Sequence, residues 1–326
     1  MKRREFIAFL GGGAVAWPLA ARAQQPPTPV IGYFSSRSPD AEAPLRVPFL
    51  KALEGSGFAA GRNVAIEYRF AEGQDERLPA LAAELVGREV TMLVATDRPS
   101  AVAAKAATAT IPIVFTSGGD PVQQGLVASF NRPGGNATGV SLFTIELGPK
   151  RLELVRELLP KPGTIAFVVN ANSSTTPFQV REMQAAAQAI GQPLLVVSIG
   201  TEEEAGKAFA TMADRNVAAV FYAANLFFQV ISERLVALAA RHRIPAVYEW
   251  REFVTAGGLM SYSTDRNEVG REAGNYAGRI LKGERPADLP VVQSSRFELV
   301  INLKTAKALG LAIPPTLLAR ADEVIE

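Results

Sequence analysis

Short apolar runs and longer segments of helical periodicity alternate along the first half of the chain. The short runs are rich in β-branched residues and predict strands, whereas the longer segments carry apolar residues at the spacing of a helix face. Strands that alternate with helices in this way are typical of βαβ units, with a parallel sheet and right-handed crossovers. The pattern predicts strands at 30–34, 64–70, 90–95 and 111–115, and helices at 44–57, 78–86 and 100–108.

A second series follows an irregular segment that holds a turn cluster at 131–136 and a short strand at 138–142. Ile31 lies 134 positions before Ile165, and the pair Ile111-Pro112 lies 133 positions before Ile244-Pro245, each opening an apolar run. Two nearly equal offsets predict duplicated lobes of one topology rather than a solenoid. This series has predicted strands at 164–169, 193–198, 217–222, 245–248 and 257–262, and helices at 147–159, 177–190, 202–213 and 226–240. The last part predicts helices at 267–281 and 305–309, a strand at 297–303 and a short final helix ending near 321.

The strand at 111–115 ends in an open loop of small and polar residues, Thr116, Ser117, Gly118, Gly119 and Asp120. In an open α/β sheet, ligands bind outside the carboxyl ends of the strands, so this loop is a candidate for a small-molecule site. The alternative is an ordinary turn between a strand and a helix.

Other predicted strand ends carry side chains suited to a small polar ligand. Hydroxyls and free backbone amides suit a carboxylate, whereas Asp120, Glu249 and Asp265 suit an ammonium group. Aromatic residues near strand ends, Tyr222 and Tyr262 among them, suit stacking on a ring. Core packing is the alternative for each aromatic residue, because apolar strand residues are usually buried.

The first 23 residues are typical of an export signal. Basic residues at 2–4 precede an apolar stretch at 6–19, and the sequence at 21–23 has the small-x-small form of a cleavage site. The apolar stretch is too short to cross a bilayer comfortably. The pair Arg3-Arg4 resembles a twin-arginine signal, with an ordinary secretory signal as the alternative. Either predicts cleavage after Ala23 and a soluble periplasmic protein.

Charge and composition then exclude several classes of function. Without residues 1–23 the chain has 30 basic and 31 acidic residues and no basic run, so neither nucleic acid nor an anionic membrane is an expected partner. The absence of cysteine excludes disulfides, thiolate metal sites and cysteine nucleophiles. The single histidine, His242, excludes multi-histidine metal clusters, and its position at a predicted helix end suits the helix dipole.

Motifs of the common enzyme classes are missing as well. The sequence has no Gly-x-Ser-x-Gly elbow, no Walker phosphate loop and no His-Glu-x-x-His pair. The glycines at 11–13 and 118–119 lack the spacing of a dinucleotide fingerprint. We therefore expect a binding protein that has no cofactor and no catalytic residues.

Six segments, in this order and spacing, resemble the ABC transporter substrate-binding family whose best-known members are described as tryptophan or tyrosine binders. The resemblance covers nearly the whole chain after residue 23. It implies an α/β protein with the type I periplasmic-binding-protein fold, in which two doubly wound parallel-sheet lobes are joined by a three-segment hinge around a ligand cleft. The segments are 31–36, 111–121, 131–139, 257–262, 297–308 and 320–326.

The resemblance also implies where the lobes and the ligand lie. The first lobe is expected at 28–143 and 264–291, and the second at 144–263 and 292–326. Together, the family's cleft loops and the strand-end chemistry predict thirteen ligand-binding residues: Ser35, Ser36, Thr96, Thr116, Ser117, Gly118, Asp120, Asn170, Tyr222, Asn225, Glu249, Tyr262 and Asp265.

The function expected from these features is capture of a small amino-acid-like or aromatic carboxylate ligand for an ABC importer. The expected partners are permease and ATPase subunits in the inner membrane, and the protein itself is expected to be a monomer. The main alternative is a ligand-sensing module for a membrane receptor or kinase, which the sequence does not distinguish from transport. An exported enzyme on the same fold is a third possibility, and a repressor is disfavoured because a leader occupies the place of DNA-binding helices.

Overall fold

Two open sheets packed against helices contain most of the apolar runs of the chain. The structure is a computed structural model that describes residues 28–159, 161, 163–173 and 175–326. The predicted export signal at 1–23 lies outside the described residues. Within those ranges, no helix is long and apolar enough to cross a membrane.

The first sheet consists of parallel strands, and those between its two edges are buried on both faces. Its strands are β1 (Val30–Ser35), β2 (Ala65–Phe70), β3 (Met92–Ala95), β4 (Ile113–Ser117), β5 (Ala137–Ser141) and β11 (Val292–Gln293). Their order is β11-β5-β4-β3-β1-β2, and every neighbouring pair is parallel. In β1, Tyr33 packs against Phe49 on one face, while Phe34 joins the core on the other. Burial on both faces explains why β1, β3 and β4 are almost continuously apolar, whereas the half-buried edge strand β2 alternates apolar and charged residues.

The second sheet repeats this topology. Its strands are β6 (Ile165–Asn170), β7 (Leu194–Ile199), β8 (Ala219–Tyr222), β9 (Ala246–Tyr248), β10 (Met260–Thr264), β12 (Phe297–Asn302) and β13 (Glu323–Ile325). The order is β13-β12-β10-β9-β8-β6-β7, and β12 is antiparallel to β10. Because β7-β6-β8-β9-β10 matches β2-β1-β3-β4-β5, Ile31 and Ile165 lie in equivalent strands, as do the two Ile-Pro runs. The predicted duplication is confirmed.

Helices cover the sheets and carry the chain between strands. They are α1 (Pro39–Gly55), α2 (Leu78–Gly87), α3 (Arg98–Ala107), α4 (Gly148–Leu158), α5 (Thr176–Ala189), α6 (Glu202–Asp214), α7 (Leu226–Val230), α8 (Ser232–His242), α9 (Arg251–Thr255), α10 (Arg266–Leu281), α11 (Leu303–Leu309) and α12 (Pro315–Leu318). Helix α10 packs directly on α1, where a side chain at Gly270 or Gly274 would collide with the carbonyl of Leu45 or Phe49. These glycines fix α10 to the first sheet's helix layer.

Several element boundaries differ from the sequence prediction. Helix α1 begins at Pro39, five residues before the predicted start at 44, because Ser38 caps it and a proline is tolerated in a first helical turn. The predicted helix at 226–240 is two helices, α7 and α8, which meet at Ile231. Helix α9 and strands β11 and β13 were not predicted. They have two to five residues and form through contacts with neighbouring elements rather than through a periodic pattern.

The chain passes three times between the two sheets. We call the first sheet with α1–α3 and α10 the first lobe, and the second sheet with α4–α9, α11 and α12 the second lobe. The crossings lie at 142–147, 264–265 and 294–296. Val292 and Gln293 pair with β5, so the first lobe extends two residues past the predicted boundary at 291. Thr264 donates a hydrogen bond to the carbonyl of Leu142, which joins two crossings.

Candidate ligand-binding cleft

A cleft of about 600 Å³ lies between the lobes, at the carboxyl ends of strands from both sheets. Loops after β1, β3 and β4 form one wall, and loops after β6, β8 and β9 form the other. Seven of the thirteen predicted residues line it: Ser36, Thr96, Thr116, Gly118, Asn170, Asn225 and Glu249. Parallel strands bring their carboxyl ends to one edge of a sheet, which explains why residues far apart in sequence meet here.

Arg37 provides the buried positive charge of the first-lobe wall. Its Nη1 atom donates to Glu42 Oε2 at 3.1 Å and to the Thr96 carbonyl at 3.0 Å, and it lies 3.7 Å from Asp97 Oδ2. Burial alone would lower the pKa of Arg37, but the charges of Glu42 and Asp97 outweigh it and raise the pKa. Nε of Arg37 is buried and has no hydrogen-bond partner among the described residues. Arg37 was not predicted, although it directly follows Ser36.

Asp97 joins the loops after β1 and β3. Its Oδ2 accepts hydrogen bonds from the Ser36 amide and the Ser36 hydroxyl, both at 2.8 Å, and from the Ser35 hydroxyl at 2.9 Å. Its Oδ1 accepts from the Ser100 amide at 2.9 Å and caps α3, with Ser100 completing a capping box. The carboxylate of Asp97 is therefore committed to the protein, and Ser35 lies behind the cleft wall.

The loop after β4 continues the same wall. The Thr116 hydroxyl donates to the Thr96 carbonyl at 2.7 Å, whereas the buried Thr96 hydroxyl has no partner among the described residues. A side chain at Gly118 would collide with the Thr144 hydroxyl, so glycine allows this loop to approach the first crossing. The Gly118 carbonyl accepts from the Thr144 hydroxyl at 3.1 Å and from the Ile145 amide at 3.2 Å.

Two asparagines form the polar part of the second-lobe wall. Asn170 Nδ2 donates to Asn225 Oδ1 at 3.1 Å, and the same oxygen accepts from the Phe227 amide at 3.0 Å as the cap of α7. Within the described part of the chain, the side-chain nitrogen of Asn225 makes no hydrogen bond. It is a donor available to a ligand. The half-buried ring of Phe227 lines the cleft beside it.

Glu249 provides the buried negative charge of the second-lobe wall. Its side chain is 7% exposed, and this burial raises its pKa. Smaller effects lower the pKa, and they come from Arg151, Arg266, Arg37 and the backbone of Asn225. The hydrogen bonds of these three arginines go to other acceptors. No arginine among the described residues therefore donates a hydrogen bond to the carboxylate of Glu249, which lines the cleft.

Trp250 and Arg266 connect the two lobes at the inner end of the cleft. The Arg266 guanidinium carbon lies 3.8 Å from the centre of the Trp250 ring. Its two terminal nitrogens donate to Glu252 Oε1 at 3.1 Å and to Gln229 Oε1 at 3.0 Å. Trp250 and Gln229 line the cleft but were not predicted. Trp250 directly follows Glu249 at a strand end, and this adjacency was the available signal.

Arg151 lies beneath the cleft and is almost fully buried. Its Nε donates to the Tyr262 carbonyl at 2.9 Å, and its Nη2 donates to the Thr144 carbonyl at 3.1 Å. The two carbonyls belong to the end of β10 and to the first crossing, so Arg151 joins the second lobe to the hinge. Burial lowers its pKa.

Six predicted residues lie outside the cleft lining: Ser35, Ser117, Asp120, Tyr222, Tyr262 and Asp265. Ser117 is buried and donates to Gln124, and Asp120 accepts from the Val122 amide in the following turn. Asp265 caps α10 by accepting from the Asn267 amide at 2.8 Å.

Of the two tyrosines among them, Tyr222 belongs to the apolar core and Tyr262 is half-buried against it. Tyr222 stacks on Tyr248 at 5.4 Å, and Tyr262 stacks on Phe297 at 5.9 Å. Each lies within a strand, where side chains alternate between sheet faces instead of pointing along the strand axis. Over the ranges that the structure describes, no group of three or more acidic or histidine side chains could hold a metal ion.

Known proteins share this architecture along most of the chain. The model of the family described as ABC transporter substrate binding protein matches residues 38–325. A tyrosine-binding protein of Clostridioides difficile (strain R20291) is 31% identical over 265 residues, which cover 81% of this chain and 75% of that protein.

Two solved structures allow a comparison of lobe arrangement. An ABC domain from Streptococcus pneumoniae in complex with L-Trp has a TM-score of 0.82 at 25% identity, covering 91% of this chain and 100% of that one. The ligand-free, open structure of a substrate-binding protein with adhesive properties from Clostridium difficile has a TM-score of 0.71 at 27% identity, covering 91% and 99%. These likenesses confirm the predicted periplasmic-binding-protein fold. The chain belongs to the family of ABC transporter substrate binding proteins, the solute-binding components of these importers.

Proposed function

We propose that this protein captures an amino acid with an aromatic side chain in the cleft between its lobes. The observation that carries the proposal is the pair of buried opposite charges on facing walls, Arg37 in the first lobe and Glu249 in the second. A zwitterion is complementary to such a pair. Arg37 already pairs with Glu42, but an uncharged sugar would leave the buried Glu249 carboxylate without a directly bonded counter-ion, which is costly.

The remaining lining residues suit the parts of such a ligand. We assign the ligand's carboxylate to the donors at Arg37, the Thr96 hydroxyl and the Gly118 loop. The ligand's ammonium group is assigned to Glu249. The ligand's ring is assigned to Phe227, a half-buried cleft residue whose own ring packs against Phe228 at 5.4 Å. The printed descriptions of the tyrosine-binding relative and the L-Trp complex support this ligand class.

Ligand capture by closure of the lobes is part of the same proposal. The higher TM-score with the L-Trp complex than with the open structure, at similar identity, supports a closed arrangement of the lobes here. A ligand shifts the lobes toward closure only by its difference in affinity for the two arrangements. Contacts with both walls provide that difference.

The test is binding of L-tyrosine, L-tryptophan and L-phenylalanine, measured by thermal shift and calorimetry. A ligand at ~100 times its dissociation constant should add about 2.7 kcal/mol to the free energy of unfolding. The analogues 3-phenylpropionate and tyramine each lack one charge, and we expect both to bind much more weakly. Stabilisation by neither amino acids nor analogues, or equal stabilisation by all five compounds, would overturn the proposal.

Matched variants locate the ammonium site. Glu249→Gln should weaken L-tyrosine binding at least tenfold, since it removes the partner charge while keeping the side-chain size. Glu153→Gln is the control, because this exposed second-lobe glutamate pairs with Lys150 on the surface of α4. Equal affinities of the two variants would place the ammonium elsewhere.

We further propose export to the periplasm as a monomer, with the leader removed after Ala23, and delivery of the ligand unchanged to a permease and its ATPase. The basic and apolar pattern of residues 1–23 supports export. Cell fractionation with N-terminal sequencing tests the cleavage, light scattering tests the monomer, and recovery of intact ligand by mass spectrometry tests the absence of chemistry.

A further inference from the structure

Arg266 belongs to one lobe by its backbone and to the other by its side-chain contacts. It opens α10, which packs on α1 of the first lobe through Gly270 and Gly274. Its guanidinium stacks on Trp250 and donates to Glu252 and Gln229, all in the second lobe. The side chain is 9% exposed.

The contacts of Arg266 hold only while the lobes are together. Close helix packing makes α10 move with the first lobe. Trp250 and Glu252 are fixed to the second sheet, because Phe253 of α9 stacks on Tyr248 of β9 at 4.7 Å. Separation of the lobes therefore parts the guanidinium from the ring and from both side-chain oxygens.

We propose that Arg266 is a latch between the lobes, which favours the closed arrangement before any ligand binds. A desolvated guanidinium stacked on tryptophan is among the stronger cation–π pairs, and its hydrogen bonds to Glu252 and Gln229 add direction. The apparent affinity for a ligand equals the intrinsic affinity multiplied by the fraction of molecules whose lobes are in the binding-competent, closed arrangement. Arg266 is accordingly a positioning residue that raises the affinity of the cleft without lining it. The latch does not depend on which ligand the cleft takes.

The test measures the ligand-free protein, so its outcome does not depend on the proposed ligand. The chain has two tryptophans, Trp17 and Trp250. In the full chain carrying Trp17→Phe, Trp250 is the only source of tryptophan fluorescence, so its emission wavelength and its quenching by acrylamide measure how far its ring is exposed. Small-angle scattering measures the radius of gyration. In Arg266→Ala we expect emission at longer wavelength, a quenching constant raised severalfold and a larger radius. Arg266→Lys should fall between, since lysine keeps the charge and loses the planar fork.

Controls separate a latch from a local effect. Arg279→Ala removes a half-exposed arginine from the same helix, paired with Glu284, and should change none of the three readouts. Quenching that rises in Arg266→Ala without a larger radius would mean that only the ring face was uncovered, and would overturn the latch. So would a wild-type radius equal to that of Arg266→Ala. Should Arg266→Ala fail to fold, Gln229→Ala must give a smaller opening in the same direction, and an unchanged radius would refute the proposal.

Discussion

Replacement of Asp97 by alanine should be among the most destabilising changes at the cleft wall. The carboxylate accepts hydrogen bonds from two buried amides, those of Ser36 and Ser100, and from the hydroxyls of Ser35 and Ser36. The hydroxyl of Ser35 has another acceptor in Glu42, at 3.0 Å, so its loss is partly compensated. Each amide left without an acceptor costs ~1–3 kcal/mol. With the Ser36 hydroxyl, the expected loss is about 3–5 kcal/mol, a large share of the stability of a typical domain.

Urea unfolding of the ligand-free protein at neutral pH measures this loss. Asp97→Asn keeps one acceptor oxygen, so either the Ser36 amide or the Ser100 amide still has a partner, and we expect about half of the alanine effect. Asp120→Ala is the matched control, because the amides that Asp120 accepts from face water, and it should cost less than about 1 kcal/mol. An Asp97→Ala loss no larger than the control would refute the claim that this carboxylate holds the two loops together.

Three further predictions concern the cleft, the hinge and the helix layer. Burial raises the pKa of Glu249 in the folded protein above its value in the unfolded chain. At a pH between these two pKa values, the folded protein therefore binds more protons than the unfolded chain. The stability that this proton contributes is present below the unfolded pKa and is lost as the pH rises through the folded pKa. Glu249→Gln should therefore remove this fall in a urea titration of the ligand-free protein across pH, and an unchanged pH profile would contradict it. Gly118→Ala should cost about 1–3 kcal/mol through collision with Thr144, and adding Thr144→Ala should restore most of the loss in the urea midpoint; no restoration would mean that the collision is not the cause. Gly274→Ala should cost a similar amount in thermal unfolding because α1 lies against it, whereas Gly55→Ala at the open end of α1 should add about 0.5–1 kcal/mol; equal effects would contradict the close helix packing.

The two-lobed topology could be predicted because its signals repeat. Each central strand is an apolar run followed by small polar residues, and the Ile-Pro run recurs in β4 and β9 at equivalent positions. Short elements such as β11 and α9 carry no such signal. The two residues of β11 pair with β5 immediately before the third crossing, and backbone pairing of this kind leaves no pattern in the side chains.

The candidate site could be predicted as a set of loops but only in part as a set of side chains. Asn170 and Tyr222 are both the last residues of their strands, β6 and β8, yet Asn170 lines the cleft whereas the ring of Tyr222 packs in the core against Tyr248 and Phe228. Asp265 carries a structural signal as well: an aspartate three residues before Glu268 is typical of a helix N-cap, and Asp265 caps α10. Ser35 and Arg37, in contrast, carry no sequence signal that tells which of them faces the cleft. Which of three neighbouring loop residues faces the cleft depends on backbone angles that periodicity does not encode.

Three arginines around Glu249 oppose the rise in its pKa that burial causes, and none of them makes a hydrogen bond to its carboxylate. All three act on Glu249 electrostatically but donate their hydrogen bonds elsewhere. Arg37 donates to Glu42 and a loop carbonyl, Arg151 donates to one carbonyl in β10 and one in the first crossing, and Arg266 donates to the side chains of Glu252 and Gln229. An arginine bonded directly to Glu249 would compete with a ligand ammonium for the same oxygens. Arg37 is held by the first lobe, Arg151 by β10 and the first crossing, and Arg266 by the latch contacts. The electrostatic potential at Glu249 therefore depends on how the lobes are arranged. Opening the lobes would withdraw Arg37 and Arg266 and admit water, so the affinity of the carboxylate for a cationic group changes together with the conformation that traps it.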